Sequence, residues 1–171
     1  MLKLTSPAFK DGKIDIKYGN LGPEENMKYG IPQTGFPLEW EGAPEGTVSY
    51  AIVFIDYDDV VDEGVPFIHW LAAGIPADVT GIEENSSRNN PDYVQGRNSW
   101  CMPFEGYKEI PDDYSLHFGG PAPGYKHEYE VWLYALDYMP DLKDGFWYNE
   151  MRRAMKGHVL EKTLLSGFYG E

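Results

Sequence analysis

Three places in the sequence set ionisable side chains against apolar runs. Asp56-Tyr57-Asp58-Asp59 closes Ala51-Ile52-Val53-Phe54-Ile55, His69 stands inside Phe67-Ile68-His69-Trp70-Leu71-Ala72-Ala73, and His127-Glu128-Tyr129 follows Gly119-Gly120-Pro121-Ala122-Pro123-Gly124. Strand ends and the loops beside them are where sites are built. An aspartate, two histidines and a tyrosine converging with a glycine–proline loop would line a small donor-bearing pocket, suited to a phosphate or carboxylate group. Nucleophilic and phosphate-cradling motifs are missing, since there is no Gly-x-Ser-x-Gly, no His-Glu-x-x-His and no glycine-rich loop ending in lysine. The acidic run Asp56 to Glu63 reads as a solvated turn. It fails as a calcium loop because Val60 and Phe67 stand at the fifth and twelfth positions, where oxygen ligands are required. A mononuclear metal on His69, His127 and Asp56 is chemically conceivable, but nothing in the spacing requires it. The reading assigns no metal, no cofactor and no catalytic residue.

The elements that must position these groups are strands. Lys13 to Tyr18 alternates polar and apolar, which predicts a half-buried strand with Ile14, Ile16 and Tyr18 on one face. Val48–Ile55 is a near-continuous apolar run, broken only by Ser49, and predicts a central strand, and Phe67–Pro76 predicts another, stopped by Gly74 and Pro76. His127 to Asp137 alternates so that His127, Tyr129, Val131 and Leu133 share a face, and the same logic pairs Asp56 with Asp58. The polar stretch Ile82 to Asn90 has neither period and reads as a surface loop. Tyr148, Met151, Met155 and Val159 fit a helical stripe, which predicts a helix running to a cap at Gly167 with Gly157 inside it. The five tryptophans and the lone Cys101 read as packing residues, and His117 and His158 as structural.

Composition narrows the classes. Over 171 residues there are 19 glycines, 13 prolines and 26 aromatic residues, a mixture of turns and flat bulky side chains that favours sheet. The net charge of −14 repels phosphate backbones and anionic surfaces, which argues against nucleic acid as a partner. No apolar run approaches the ~20 residues of a membrane span. The first residues show no basic segment followed by a long apolar one, so a cytoplasmic location is expected. A single cysteine excludes an internal disulfide. The expected fold is mainly β: one domain over residues 1–171, a β-sandwich with a C-terminal helix and short helical decorations.

The order of several short motifs resembles the phosphatidylethanolamine-binding protein family, in its bacterial Raf-kinase-inhibitor-like branch. They are Leu4-Thr5-Ser6-Pro7-Ala8-Phe9-Lys10-Asp11-Gly12, Pro37-Leu38-Glu39-Trp40, Ala43-Pro44-Glu45-Gly46-Thr47, His69-Trp70, Ile75-Pro76-Ala77-Asp78, Gly96-Arg97-Asn98, Gly119-Gly120-Pro121, Leu133-Tyr134-Ala135-Leu136-Asp137 and Gly157-His158-Val159-Leu160. The resemblance implies two antiparallel sheets with a small anion-binding pocket at one edge that accepts phosphoryl headgroups without a metal. It implies as ligand-binding residues Asp56 and Asp58 (the family's Asp-Pro-Asp), His69, the Gly120-Pro121 loop, and His127 with Tyr129. In this chain Tyr57 replaces the family's proline, where its ring could narrow the entrance, and the loop Pro121 to His127 is a residue shorter than the usual bacterial one; whether either alters the pocket is left open by the sequence.

The function expected from the residues and the resemblance together is non-enzymatic binding of a phosphoryl or similar anionic headgroup. Protonation of His69 or His127 would then tighten capture as pH falls from about 7.5 towards 6. The resemblance also allows a module that regulates a kinase or protease through a protein partner, and a homodimer. A sugar-binding β-sandwich ranks third, on the strength of the aromatic content alone.

Overall fold

The structure is a computed structural model that describes residues 1–89 and 91–171. Asn90, the last residue of the expected polar loop, lies outside the described residues. In chain order the elements are β1 (Lys3–Thr5), β2 (Phe9–Lys10), β3 (Lys13–Ile14), β4 (Met27–Lys28), β5 (Ile31–Pro32), β6 (Leu38–Glu41), β7 (Ser49–Asp56), β8 (Phe67–Pro76), β9 (Gly81–Ile82), β10 (Val94–Gln95), β11 (His127–Leu136), α1 (Tyr148–Met155) and β12 (Val159–Tyr169), with short 3-10 turns between them. A seven-stranded sheet has the order β10-β8-β7-β11-β12-β3-β2, a three-stranded sheet the order β1-β6-β9, and β4 pairs with β5. The large sheet is mixed, not purely antiparallel as expected, because β12 meets β3 in parallel at Phe168 and Lys13.

All eight residues of β7 are buried, and this explains its unbroken apolar run. Tyr50, Ile52 and Phe54 enter one core with Leu38 and Trp40 of the small sheet. Ala51, Val53 and Ile55 enter a second core with Phe146 and with Met151 and Met155 of α1. A strand covered on both faces has no need of alternation. Among the tryptophans, Trp40, Trp70 and Trp100 are buried, whereas Trp147 is 52% exposed beneath Arg97 and is not core.

Three sequence expectations give way to tertiary context. The helix stops at Met155, and residues Val159–Tyr169 form β12, paired along β11. Gly157 lies outside the helix with φ +86°, the left-handed region that glycine enters without strain, and it turns the chain back into the sheet. Gly167 is no cap but a strand residue opposite Tyr129. The strand expected over residues 13–18 ends at Ile14, because the Asp15 carboxylate accepts a hydrogen bond from the Lys17 N–H at 3.0 Å and starts a 3-10 turn. Ile16 consequently faces solvent. The stretch 82–89 is not all surface either, since Ser87 is buried and its hydroxyl donates to the Gln95 side chain at 2.6 Å. No helix among the described residues is long and apolar enough to cross a membrane.

Candidate functional site

The site forms where three strands of the large sheet end side by side. In the register, Asp56 at the end of β7 stands opposite both Tyr129 of β11 and Phe67 of β8, and His127 lies two residues before Tyr129 on the same face. His69 reaches this corner through an irregularity. Phe54 pairs with Trp70 and Ile55 with Ile68, which leaves His69 as an extra residue bulged out of the β7–β8 ladder. Bulges of this kind re-aim side chains. The His69 ring packs between Phe54, Phe67 and Tyr129, with ring centroids 4.8–5.3 Å apart.

The glycine–proline loop is fastened to that bulge. Gly119 donates its N–H to the His69 carbonyl at 3.1 Å, and His69 Nδ1 donates to the Gly119 carbonyl at 2.8 Å. The next glycine runs so close to the chain that a Cβ on Gly120 would overlap the Tyr18 carbonyl oxygen. Gly120 and Pro121 therefore act as backbone, the first donating to the Pro32 carbonyl and the second accepting from Asn20 N–H. Ala122 to Tyr125, immediately beyond, face the cavity instead.

Asp56 and His127 form the buried polar centre. The Asp56 carboxylate accepts from His127 Nδ1 at 2.7 Å through Oδ2, and from the Asp58 and Asp59 N–H groups at 2.8 and 3.2 Å through Oδ1. That last pair of bonds curls the chain into a 3-10 turn, so the alternation that would have put Asp58 beside Asp56 ends at Asp56. Asp58 turns away and accepts from the Glu128 N–H at 2.8 Å.

The resulting cavity is about 260 Å³. Of the sequence-derived set it is lined by Asp56, His69 and Tyr129, while His127 stands behind Asp56, and Asp58, Gly120 and Pro121 do not line it. The aromatic residues Phe67, Trp100 and Tyr107 and three further acids, Asp59, Asp62 and Glu63, complete it. Those acids belong to the run that the sequence presents as a solvated turn. Only the position of that turn over the strand ends shows that they face inward. The metal-competent trio is also different from the one weighed from sequence: Asp56, Asp59 and His127 place ligand atoms within 4.8 Å of one another, and His69 is not among them. A larger open groove along β6 and β9 contains no histidine.

The electrostatics differ from a plain anion pocket. Burial holds His69 well below its ordinary 6.5, at about 4, so the ring is neutral at physiological pH. With Nδ1–H committed to the Gly119 carbonyl, its Nε2 carries a lone pair and accepts. Protonation of His69 between pH 7.5 and 6 thus cannot supply the tighter capture expected from sequence. Burial and then the neighbouring Asp56 charge push Asp59 up to about 6. Burial and Asp56 likewise keep the Tyr129 hydroxyl protonated, and Tyr107 donates to Glu63 at 3.0 Å.

The sequence profile of the family described as phosphatidylethanolamine-binding protein matches residues 5–170. The chain belongs to the phosphatidylethanolamine-binding protein family. YxkA of Bacillus subtilis is 34% identical over 148 residues, covering 86% of this chain and 88% of that protein. The UPF0098 protein of Methanothermobacter thermautotrophicus is 34% identical over 173 residues, or 98% of each chain. A solved phosphatidylethanolamine-binding protein homologue from Chlamydia trachomatis has a TM-score of 0.77 at 26% identity, covering 99% of this chain and 97% of that one. Escherichia coli YbcL, at TM-score 0.76 and 23% identity over 99% and 98% of the two chains, shares the fold. Within this phosphatidylethanolamine-binding protein fold, Tyr57 is half exposed and lies outside the cavity lining. Tyr125 of the loop does line the cavity, its ring 4.5 Å from that of His127.

Proposed function

We propose that the protein is a non-enzymatic binder of small phosphoryl headgroups that carry their own positive charge, of the phosphoethanolamine type. The observation that carries this reading is the composition of the cavity: a headgroup-sized space, in a chain of this family, lined by four carboxylates beside aromatic rings and a tight loop. Asp56, Asp59, Asp62 and Glu63 repel a bare phosphate and attract an ammonium group. The N–H groups of the 122–125 turn are the donors left for the phosphoryl oxygens, since the Tyr107, Tyr125 and Tyr129 hydroxyls already face the carboxylates of Glu63, Asp62 and Asp56. No serine, threonine, cysteine or lysine is among the residues lining the cavity, and this favours binding over group transfer.

Calorimetric titration with phosphoethanolamine, inorganic phosphate and ethanolamine at pH 7.5 in EDTA tests the reading. Saturable binding of phosphoethanolamine, at least tenfold tighter than either fragment and weakened in Asp56→Asn, is expected. Equal binding of bare phosphate would remove the role of the carboxylates, and no heat with any of the three at millimolar concentration would remove the pocket function.

A further inference from the structure

We propose that a second cavity, walled by Arg88, Gln95, Asp113, His117 and Asp144, binds a small zwitterion of the free amino acid type, its carboxylate on the Arg88 guanidinium and its ammonium group on Asp113 and Asp144. This cavity is about 390 Å³, within the range of small-molecule sites, and it shares no lining residue with the headgroup cavity. The 3-10 turn Ser86–Arg88 brings Arg88 to it, and the guanidinium lies over the Tyr114 ring with Cζ 5.0 Å from the centroid. Nε and Nη2 of Arg88 are shut off from solvent, and neither has a hydrogen-bond partner among the described residues. Their N–H groups share one edge of the guanidinium, the fork that fits the two oxygens of a carboxylate. Buried donors without an acceptor cost free energy, more so on a charged group, and burial accordingly lowers the pKa of Arg88. A guanidinium stacked on a flat ring can pivot over it, so the fork can turn to an acceptor that enters the cavity.

The rest of the wall specifies what that acceptor must carry. Asp113 and Asp144 are exposed and line the same cavity, yet Arg88 forms no ion pair with either, nor with any other carboxylate among the described residues. His117 does not neutralise Asp113 either. Its Nδ1–H is committed to the Ser87 carbonyl at 2.9 Å, so the neutral ring turns a lone pair towards the Asp113 carboxylate 3.4 Å away. Asp144 accepts the Gln95 N–H at 2.8 Å, a neutral partner that leaves its charge in place. Gln95 is itself a fixed wall, its side chain accepting from Trp70 Nε1 and Ser87 Oγ at 2.8 and 2.6 Å and donating to the Ser87 carbonyl at 2.9 Å. Opposite charges that line one cavity without pairing across it fit a ligand bearing both. A bare anion would be repelled by Asp113 and Asp144, and a bare cation by Arg88.

The experiment titrates the full chain by calorimetry at pH 7.5 with L-serine, L-leucine and L-glutamate, and with acetate and methylammonium as the separate fragments. Saturable binding of at least one amino acid, tenfold or more tighter than either fragment, is expected. Arg88→Gln should weaken it at least tenfold, and Arg88→Lys nearly as much, because lysine keeps the charge and loses the fork. The Asp113→Asn/Asp144→Asn double variant, on exposed side chains, should weaken it too and keeps the test valid even if the Arg88 variants fail to fold. Asp62→Asn, in the other cavity, should change nothing. No saturable binding of any of the three amino acids at millimolar concentration, acetate binding as tight as theirs, or unchanged affinity in Arg88→Gln overturns the proposal. Phosphoethanolamine binding that persists alongside such a null result would leave the headgroup reading intact, and amino acid binding without phosphoethanolamine binding would do the reverse.

Discussion

Acidification should remove the stability that His69 contributes, because its ring is buried and cannot accept a proton without charging a dry environment. The unfolded chain titrates this group near 6.5 and the folded chain near 4. Between those values the unfolded state holds a proton that the folded state refuses, so the His69 contribution to stability is flat above about pH 6.5 and falls as pH drops towards 4, opposed below about pH 6 by Asp59, whose raised pKa makes the folded state the better proton acceptor there. The full gap corresponds to about 3 kcal/mol, of which about 2 kcal/mol is lost by pH 5. His69→Gln removes the titration. It has a packing cost of its own that does not depend on pH, so the stability difference between wild type and variant should shrink by about 2 kcal/mol between pH 7.5 and 5. Urea denaturation at pH 7.5, 6 and 5 measures that difference, and the ring resonances of His69 report the titration directly. A His69 midpoint near 6.5 would refute the reasoning, as would a wild-type-to-variant difference that stays constant with pH.

Two further outcomes follow from packing. Gly120→Ala places a Cβ on the Tyr18 carbonyl oxygen and should cost about 2–3 kcal/mol by overpacking, read as a lower urea midpoint at unchanged slope. Met151→Ala empties a fully buried position between α1 and the β7 face made by Ala51 and Val53. It should lower stability by about 3 kcal/mol in thermal or urea unfolding, while leaving the cavity on the other side of the sheet able to bind.

The sequence by itself determined the class of the molecule and most of its long strands. The apolar runs ending at Ile55 and Pro76 and the alternation after His127 mark β7, β8 and β11 to within a residue. Such patterns are legible because burial on one face or both leaves a direct imprint on residue type. The family motifs likewise identified Asp56, His69 and Tyr129, which the fold brings to one cavity, although the 56–129 separation is invisible to any local pattern.

Tertiary structure decided what local pattern could not. Val159 continued the spacing of Tyr148, Met151 and Met155, yet the free edge of β11 offered a full ladder of hydrogen bonds, and the segment after Gly157 took it as β12. Asp58 and Asp59 looked equivalent in the acidic run. The Asp56 carboxylate, by accepting from both of their N–H groups, turned one towards Glu128 and placed the other at the cavity. The neutral state of His69 and the unpaired Nε2 of His127 are likewise products of burial, a property set by which elements cover the strand ends and not by the residues next to them in the chain.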